Sequence, residues 1–346
     1  MLPYVLLFLI IGGLAIISTL GSKPLRLAGA VAAIVLALFA GMTGDSVDYF
    51  AYEGIFNAMS AADNLDWPIR ILIGKDPLFG TLVLGTVMAG AGVQLMFLSS
   101  ALIGISIKWR AFERVFESAA VPFFVLLCGY FFLHEFTQIR AGIALGFCFI
   151  SLVLKCEGGH DRAAFAWAFL AVGFHASVVL YLILMWIVTM PPRRAWIWSG
   201  AVVALLLLGA RAASSVIAQF DTRTEDQLSA TGSSITPLLI AAVRLAILAW
   251  IWSDLRKRSD ENARLLQACM ILCIAAVPFL VVLRGLSSVM AFRFYELFDA
   301  FSVFILSASL LRGSVIAQVA SLALCAASMF IHFHDDLIPS YVFGSF

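Results

Sequence analysis

His134, Glu135, Arg140 and His175 interrupt residues 119–190, a stretch that is otherwise almost entirely apolar. A histidine can accept a proton near neutral pH, and an arginine can grip a phosphate with two parallel donors. An ionisable side chain inside an apolar run is a functional candidate, because its burial costs free energy unless a partner offsets it. The spacing predicts two helical hairpins. The first runs over 119–133, turns through His134-Glu135-Phe136-Thr137 and returns over 138–154. The second runs over 163–172, turns at Gly173-Phe174-His175 and returns over 176–190. It has 28 residues for two passes, whereas one crossing takes about 20. At about 1.5 Å per residue, each arm falls short of a hydrocarbon core roughly 30 Å thick. His175 is therefore expected below the membrane surface, in a pocket walled by other helices. The bland alternative is a histidine bonded to a neighbouring carbonyl.

Arg140, His175 and Arg293 are expected at the N-terminal ends of helices, where free N–H groups and the helix dipole favour an anion. A single arginine there would more simply snorkel or pair with a nearby acid. Arg140, Arg284 and Arg293 together point to an anion site for a phosphate group at the outer membrane boundary. Burial and the dipole would favour a neutral His175 that can accept a proton. Asp45 and Asp48 precede Tyr49, Tyr52 and Phe56, which repeat as one helical stripe. Asp45 or Thr43 could cap that helix, which accounts for one acid but not both. Carboxylates beside flat aromatic faces suit sugar hydroxyls and ring C–H groups, and either acid could serve as a general base. Arg284, Arg293, Tyr295 and Glu296 lie in one later connection on the same side.

Other constellations lead nowhere comparable. The tail His332-Phe333-His334-Asp335-Asp336 has metal-like content, but no third distant ligand is evident. It reads as a solvated tail. The six cysteines lie in or at the ends of apolar segments with no CxxC, so they read as small buried hydrophobes. No serine sits in a GxSxG elbow.

The elements that must position these residues follow from composition. Of 346 residues, 62% are hydrophobic and 12% charged, and the mean hydropathy is +1.02. Soluble domains carry about 25% charged residues, so the chain is read as an all-α polytopic membrane protein. A net charge of +1 gives no basis for nucleic-acid binding. Met1-Leu2-Pro3-Tyr4 lacks a basic leader region, so the first apolar run is read as a span and not a signal peptide.

About twelve crossings are expected, over 2–20, 26–42, 92–107, 119–133, 138–155, 163–173, 175–190, 195–211, 237–253, 265–283, 297–311 and 314–331. One set of connections holds fourteen basic residues: Lys23, Arg26, Lys108, Arg110, Arg114, Lys155, Arg162, Arg193, Arg194, Arg256, Lys257, Arg258, Arg264 and Arg312. The opposite set holds seven: Arg70, Lys75, Arg140, Arg211, Arg223, Arg284 and Arg293. The richer set is expected in the cytoplasm, which puts both termini outside. Residues 1–346 then form one transmembrane domain. Residues 43–90 make an outer loop with a re-entrant or interfacial helix, and residues 212–236 make a polar outer loop suited to a lid.

Three segments carry a resemblance. They are Gly44-Asp45 with Tyr49 and Tyr52, then Gln138-Ile139-Arg140-Ala141-Gly142-Ile143-Ala144, then Phe174-His175-Ala176-Ser177. In that order, over roughly residues 40–190, they resemble the EpsG family. Those are membrane proteins of bacterial exopolysaccharide synthesis, grouped with Wzy-type O-antigen and capsule polymerases. The chain has Gln before Ile-Arg where an Arg-Gln order would be expected. The resemblance implies a GT-C-like glycosyltransferase acting on polyprenyl-diphosphate-linked oligosaccharides at the outer face of the inner membrane. A chain-length regulator in the membrane is an implied partner.

On that reading Arg140 and Arg293, helped by Arg284, hold the donor diphosphate. His175 takes the proton from the acceptor hydroxyl. Asp45 or Asp48 orients it or replaces it, and Glu135 fixes Arg140. Tyr49, Tyr52, Tyr295 and Glu296 contact substrate. Inversion at the anomeric carbon is expected, with no metal or cofactor needed. The rivals are an O-antigen ligase or other lipid-linked glycosyltransferase, and a transporter or flippase. A transporter should have symmetric halves with a midplane site, and no internal repeat is evident.

Overall fold

The computed structural model describes residues 2–20, 25–44, 46, 48–191, 193–202, 204–205, 235–258, 262–283 and 288–334. Every regular element among them is helical. Backbone surrounded by hydrocarbon must bond its own N–H and C=O groups, and a helix does so within one segment. The chain divides into two units. The first comprises Met1–Leu182 and Cys325–Phe346, the second Ile183–Leu324.

The first unit is built around α8 (Ile139–Glu157), whose residues from Ala141 to Lys155 are all buried. It packs against α6 (Val93–Val115) through small residues. A Cβ at Gly146 would lie 3.0 Å from Gly104 O, and one at Gly104 would lie 3.5 Å from Ile143 Cα. The two backbones therefore meet with no side chain between them. Helices α1 (Leu2–Leu20) and α2 (Leu25–Gly41) pack with α7 (Ala120–Gly129) and α6. A π-helical turn over Phe132–Thr137 joins α7 to α8. Its aromatic residues anchor it: Phe132 meets Tyr4 at 5.6 Å and Phe136 meets Phe39 at 6.1 Å between ring centres.

Between α2 and α6 lie α3 (Tyr49–Ala61), α4 (Trp67–Ile73) and α5 (Pro77–Met88). The axes of α4 and α5 differ by 110°. Lys75, in the corner between them, has φ 69°, a left-handed conformation that a side chain disfavours. Gly80 makes the corner possible, because a Cβ there would run into the backbone carbonyl of Ile71. Pro77 starts α5 where its missing N–H leaves no helix bond unmade. Helix α9 (Asp161–Phe174) is followed by a 3₁₀ turn over Ala176–Val178 and by α10 (Val179–Val188).

The second unit contains α11 (Thr236–Arg256), α12 (Ala263–Leu283), α13 (Ser288–Asp299), α14 (Ser302–Arg312) and the first part of α15 (Val315–His334). Ala241, Leu280 and Ala291 form a small core where α11, α12 and α13 meet.

Six helices among the described residues are long and apolar enough to cross a membrane, or seven if α4 and α5 form one broken span. Several of the expected crossings are shorter apolar helices, such as the ten-residue α7. Lys108 was expected in a connection. Instead α6 continues to Val115, and Lys108 is fully buried inside it. Arg293, Tyr295 and Glu296 were expected in a loop. They lie in α13, more than a turn past its start, because the helix begins at Ser288. Asp45, Arg284 and nearly all of the expected lid over 212–236 lie outside the described residues.

Candidate functional site

Asp76 ties three elements together from the corner between α4 and α5. Arg140 Nη1 donates to its Oδ2 at 2.5 Å, and Ala176 N–H donates to its Oδ1 at 3.0 Å. His175 Nδ1 stands 3.9 Å from the same Oδ2. That is an electrostatic distance, beyond a hydrogen bond.

Local sequence explains each placement. Asp76 is the residue before Pro77, and its side chain makes no cap bond to its own helix. The carboxylate is thus free to bond its neighbours. Ala176 opens the 3₁₀ turn after α9, so Asp76 satisfies an orphan N–H at the start of another element. Gly173 lets α9 lie close to α5, because a Cβ there would meet Leu78 Cδ1 at 2.6 Å. Arg140 is the second residue of α8.

The site has an aromatic floor. The Arg140 guanidinium lies 5.9 Å from the ring centres of both Tyr52 and Phe79, within cation–π range. Tyr52 meets Phe79 and Phe97 edge-on, and Tyr49 stacks flat on Phe97 at 4.9 Å. Burial pushes the Tyr52 phenol above its ordinary range, opposed by the nearby Arg140 cation. Tyr52 is therefore neutral at physiological pH.

Two buried polar atoms in this cluster, Arg140 Nε and His175 Nδ1, have no hydrogen-bond partner. Buried donors are rarely left so. The Asp76 side chain is 6% exposed, whereas those of Arg140 and His175 are 21% and 24% exposed. The carboxylate is sealed in, and the cation and imidazole are partly exposed. Such a set can bind an anion through Arg140 and move a proton through His175.

The site lies deep along the bundle. Ile143 is level with Gly104, and Gly104 is about 17 Å along α6 from Val93 at 1.5 Å per residue. The first turn of α8 therefore starts well down a helix long enough to span. The ten-residue α7 and fourteen-residue α9 are each shorter than a crossing. Arg140 stands in the first turn of α8, at one end of a helix that is itself long enough to cross.

The family model named EpsG family matches residues 27–341. The chain belongs to the EpsG family. Members are Wzy-like polysaccharide polymerases, so the chain is a multi-pass membrane protein of polysaccharide biosynthesis. Comparison with the curated proteins and with the solved structures returns no significant match.

In this EpsG-family chain the structure brings Arg140, His175 and Tyr52 together around Asp76 and rearranges other expectations. Glu135 does not fix Arg140. It pairs with Lys108 at 2.6 Å, and both side chains are closed to solvent, so Glu135 cannot serve as a substrate contact. Tyr52 is buried beneath Arg140 and offers no open face to a sugar. Asp48 stands at the start of α3, half-buried and near enough to Tyr52 to act on its phenol. Arg293 is exposed on α13 in the second unit. Among the described residues no group of three or more His, Cys, Asp or Glu gathers as a metal site.

Two acids were missed. Asp76 had a signal: one acid in Gly74-Lys75-Asp76-Pro77, a breaker sequence joining two apolar runs too short to cross alone. Asp299 had a weaker one, an acid inside an apolar run. In the second unit it accepts Arg244 Nε at 2.7 Å, and Arg244 Nη2 donates to Ser302 Oγ at 3.1 Å.

Proposed function

We propose that this chain polymerises a bacterial surface polysaccharide from polyprenyl-diphosphate-linked repeats. It would transfer the growing glycan to the end sugar of a new lipid-linked repeat at the outer face of the inner membrane. The observation that carries this reading is the pair of unsatisfied buried atoms, Arg140 Nε and His175 Nδ1, flanking one sealed carboxylate.

The chemistry runs as follows. Asp76 holds Arg140 by Nη1 and Tyr52 lies against the same guanidinium, which leaves the unpartnered Nε to donate to a diphosphate oxygen. The acceptor hydroxyl loses its proton to His175 as its oxygen bonds the anomeric carbon. The bond from that carbon to the diphosphate oxygen breaks, and polyprenyl diphosphate leaves with the electron pair. Arg140 stabilises the developing negative charge. The Asp76 carboxylate, 3.9 Å from His175, stabilises the imidazolium that forms, the orienting part first assigned to Asp45 or Asp48. Attack opposite the leaving diphosphate inverts the anomeric carbon, and with arginine neutralising the charge no metal is needed. Arg284 and Arg293 would assist with the lipid-linked substrates, and Tyr49, Asp48, Tyr295 and Glu296 with sugar hydroxyls.

In this reading the chain is GT-C-like. The six or seven long spans and the shorter apolar helices Arg26–Gly41, Ala120–Gly129, Ala176–Val188 and Val315–Ile331 make ten or eleven candidate crossings among the described residues, and about twelve are proposed for the whole chain. Both termini are periplasmic, and a chain-length regulator sets polymer size.

The test is substitution of Arg140. Arg140→Ala should abolish polymer while the protein still folds and inserts, and Arg140→Lys should recover little because the planar guanidinium that reaches both Asp76 and the diphosphate is lost. Chelator-treated purified enzyme should keep its activity. Normal polymer length in Arg140→Ala cells would remove the anion site from the mechanism, and activity restored only by Mg²⁺ would remove its metal independence.

A further inference from the structure

The Lys108–Glu135 ion pair belongs to no part of the proposed chemistry, yet it is the most deeply buried charge pair described. The two side chains are 0% and 2% exposed, 2.6 Å apart. Lys108 is about 22 Å along α6 from Val93 and about 10 Å from its other end, at 1.5 Å per residue. Taking two charges out of water there is expensive, and replacing such a pair with apolar residues of similar size is often neutral or stabilising. Stability alone therefore gives no reason for it.

Its geometry suggests another reason. Glu135 lies in the π-helical turn before α8, and such turns often mark functional sites. Lys108 Nζ also donates to Gly142 O, two residues beyond Arg140. Glycines shape the slot around the carboxylate: a Cβ at Gly104 or Gly142 would lie 2.9 or 3.1 Å from Glu135 Oε2. A Cβ at Gly142 would also lie 2.6 Å from His134 O. One ammonium thus fastens both the turn before Arg140 and the first turn after it to α6.

We infer that the Lys108–Glu135 pair is a positioning device that sets the rotation and depth of the start of α8, and so aims Arg140 past Asp76 at the substrate diphosphate. The inference rests on the proposed role of Arg140. Lys108 and Glu135 touch no substrate. They act through the backbone that carries Arg140.

The experiment uses the full chain reconstituted in liposomes with lipid-linked repeats. Lys108→Met or Glu135→Gln alone strands one buried charge and should impair folding. The double variant Lys108→Met/Glu135→Met removes both charges and should unfold at a temperature close to wild type. Its kcat/KM should nevertheless fall about 10²-fold, the size of loss a displaced catalytic group produces, mainly through a raised KM for the donor. In an Arg140→Ala background the same double substitution should cause little further loss of the residual activity. Glu135→Asp keeps the charge but shortens the reach, and should raise KM while leaving the fold intact. Wild-type kcat/KM in the double variant or in Glu135→Asp would overturn the positioning role. A double substitution that lowers the residual activity of Arg140→Ala by the same factor as it lowers that of wild type would overturn it too. Wild-type activity in Arg140→Ala alone would instead overturn the role of Arg140, and this inference with it, so the two failures are separable.

Discussion

A single carboxylate decides what Arg140 and His175 can do. Asp76 fixes one guanidinium nitrogen and the N–H beside His175, so neither functional group can drift far from the other. If His175 is the base, His175→Gln keeps a hydrogen-bonding group of similar size but cannot take the proton. Purified His175→Gln should bind lipid-linked repeats nearly as well as wild type and turn over about 10²–10⁴ times more slowly. Its rate should also lose the acid limb of the pH profile. Asp76→Asn keeps an acceptor for Ala176 N–H but loses the charge, so it should also slow turnover. Because the two residues act as one unit, the double variant should be little worse than the poorer single one. Binding lost together with turnover in His175→Gln would make His175 a substrate-positioning residue and return Asp48 to consideration as the base. At this scale the sequence was informative where a charge stood alone in apolar surroundings, as Arg140 and His175 do. It misled where two such charges were available to the same arginine. Glu135 is closer to Arg140 along the chain than Asp76 is, yet the π-helical turn directs Glu135 to α6, and the sharp corner brings Asp76 to α8.

The corner between α4 and α5 is the element on which this geometry depends, and its tightness rests on Gly80. A methyl group there would strike the backbone carbonyl of Ile71, which cannot rotate away as a side-chain end could. Gly80→Ala should therefore open the corner, displace Asp76 and lower polymer yield by about the 10²-fold that a catalytic group misplaced by 1 Å costs. Gly85 is the control. It lies in the same helix with nothing within 4 Å of the added carbon, so Gly85→Ala should leave activity unchanged and stabilise the helix by about 0.5–1 kcal/mol. Polymer assays and thermal unfolding of the two variants side by side check this, and equal activity in both would deny the corner its role. The expectation of a helix near residues 76–90 came from apolar runs too short to cross. Its partner α4 and the 110° bend were not legible, because a bend of that size depends on glycine contacts between residues that a linear reading keeps apart.

Across the whole molecule, the helical class and the membrane setting followed from composition, but the two short hairpins did not: α8 is long enough to cross and packs on α9 and α6 rather than on α7, and α9 and α10 do not pack as a pair. The number of long spans did not follow, because an apolar run of ten residues reads much like half of a crossing. Orientation is the remaining whole-molecule property, and the structure changes the argument for it. Lys108 is paired and buried inside α6, so it leaves the count of charges flanking the spans. The richer set then holds thirteen basic residues against seven. The bias remains, and by the positive-inside rule the connection between α8 and α9, with Lys155 and Arg162 beside it, should be cytoplasmic. That connection turns through Gly158 and Gly159 at positive φ, a tight reversal that leaves α8 and α9 to run back in opposite directions. A green fluorescent protein fused after Gly158 should therefore be bright and an alkaline phosphatase there inactive. Fusions after residue 346 should give the opposite pattern, with an active phosphatase and a dark fluorescent protein. A bright fluorescent fusion after residue 346 together with an active phosphatase after Gly158 would turn the molecule over, and would place the mouth of the Arg140 site on the cytoplasmic face, where lipid-linked repeats awaiting polymerisation do not accumulate in the proposed reaction.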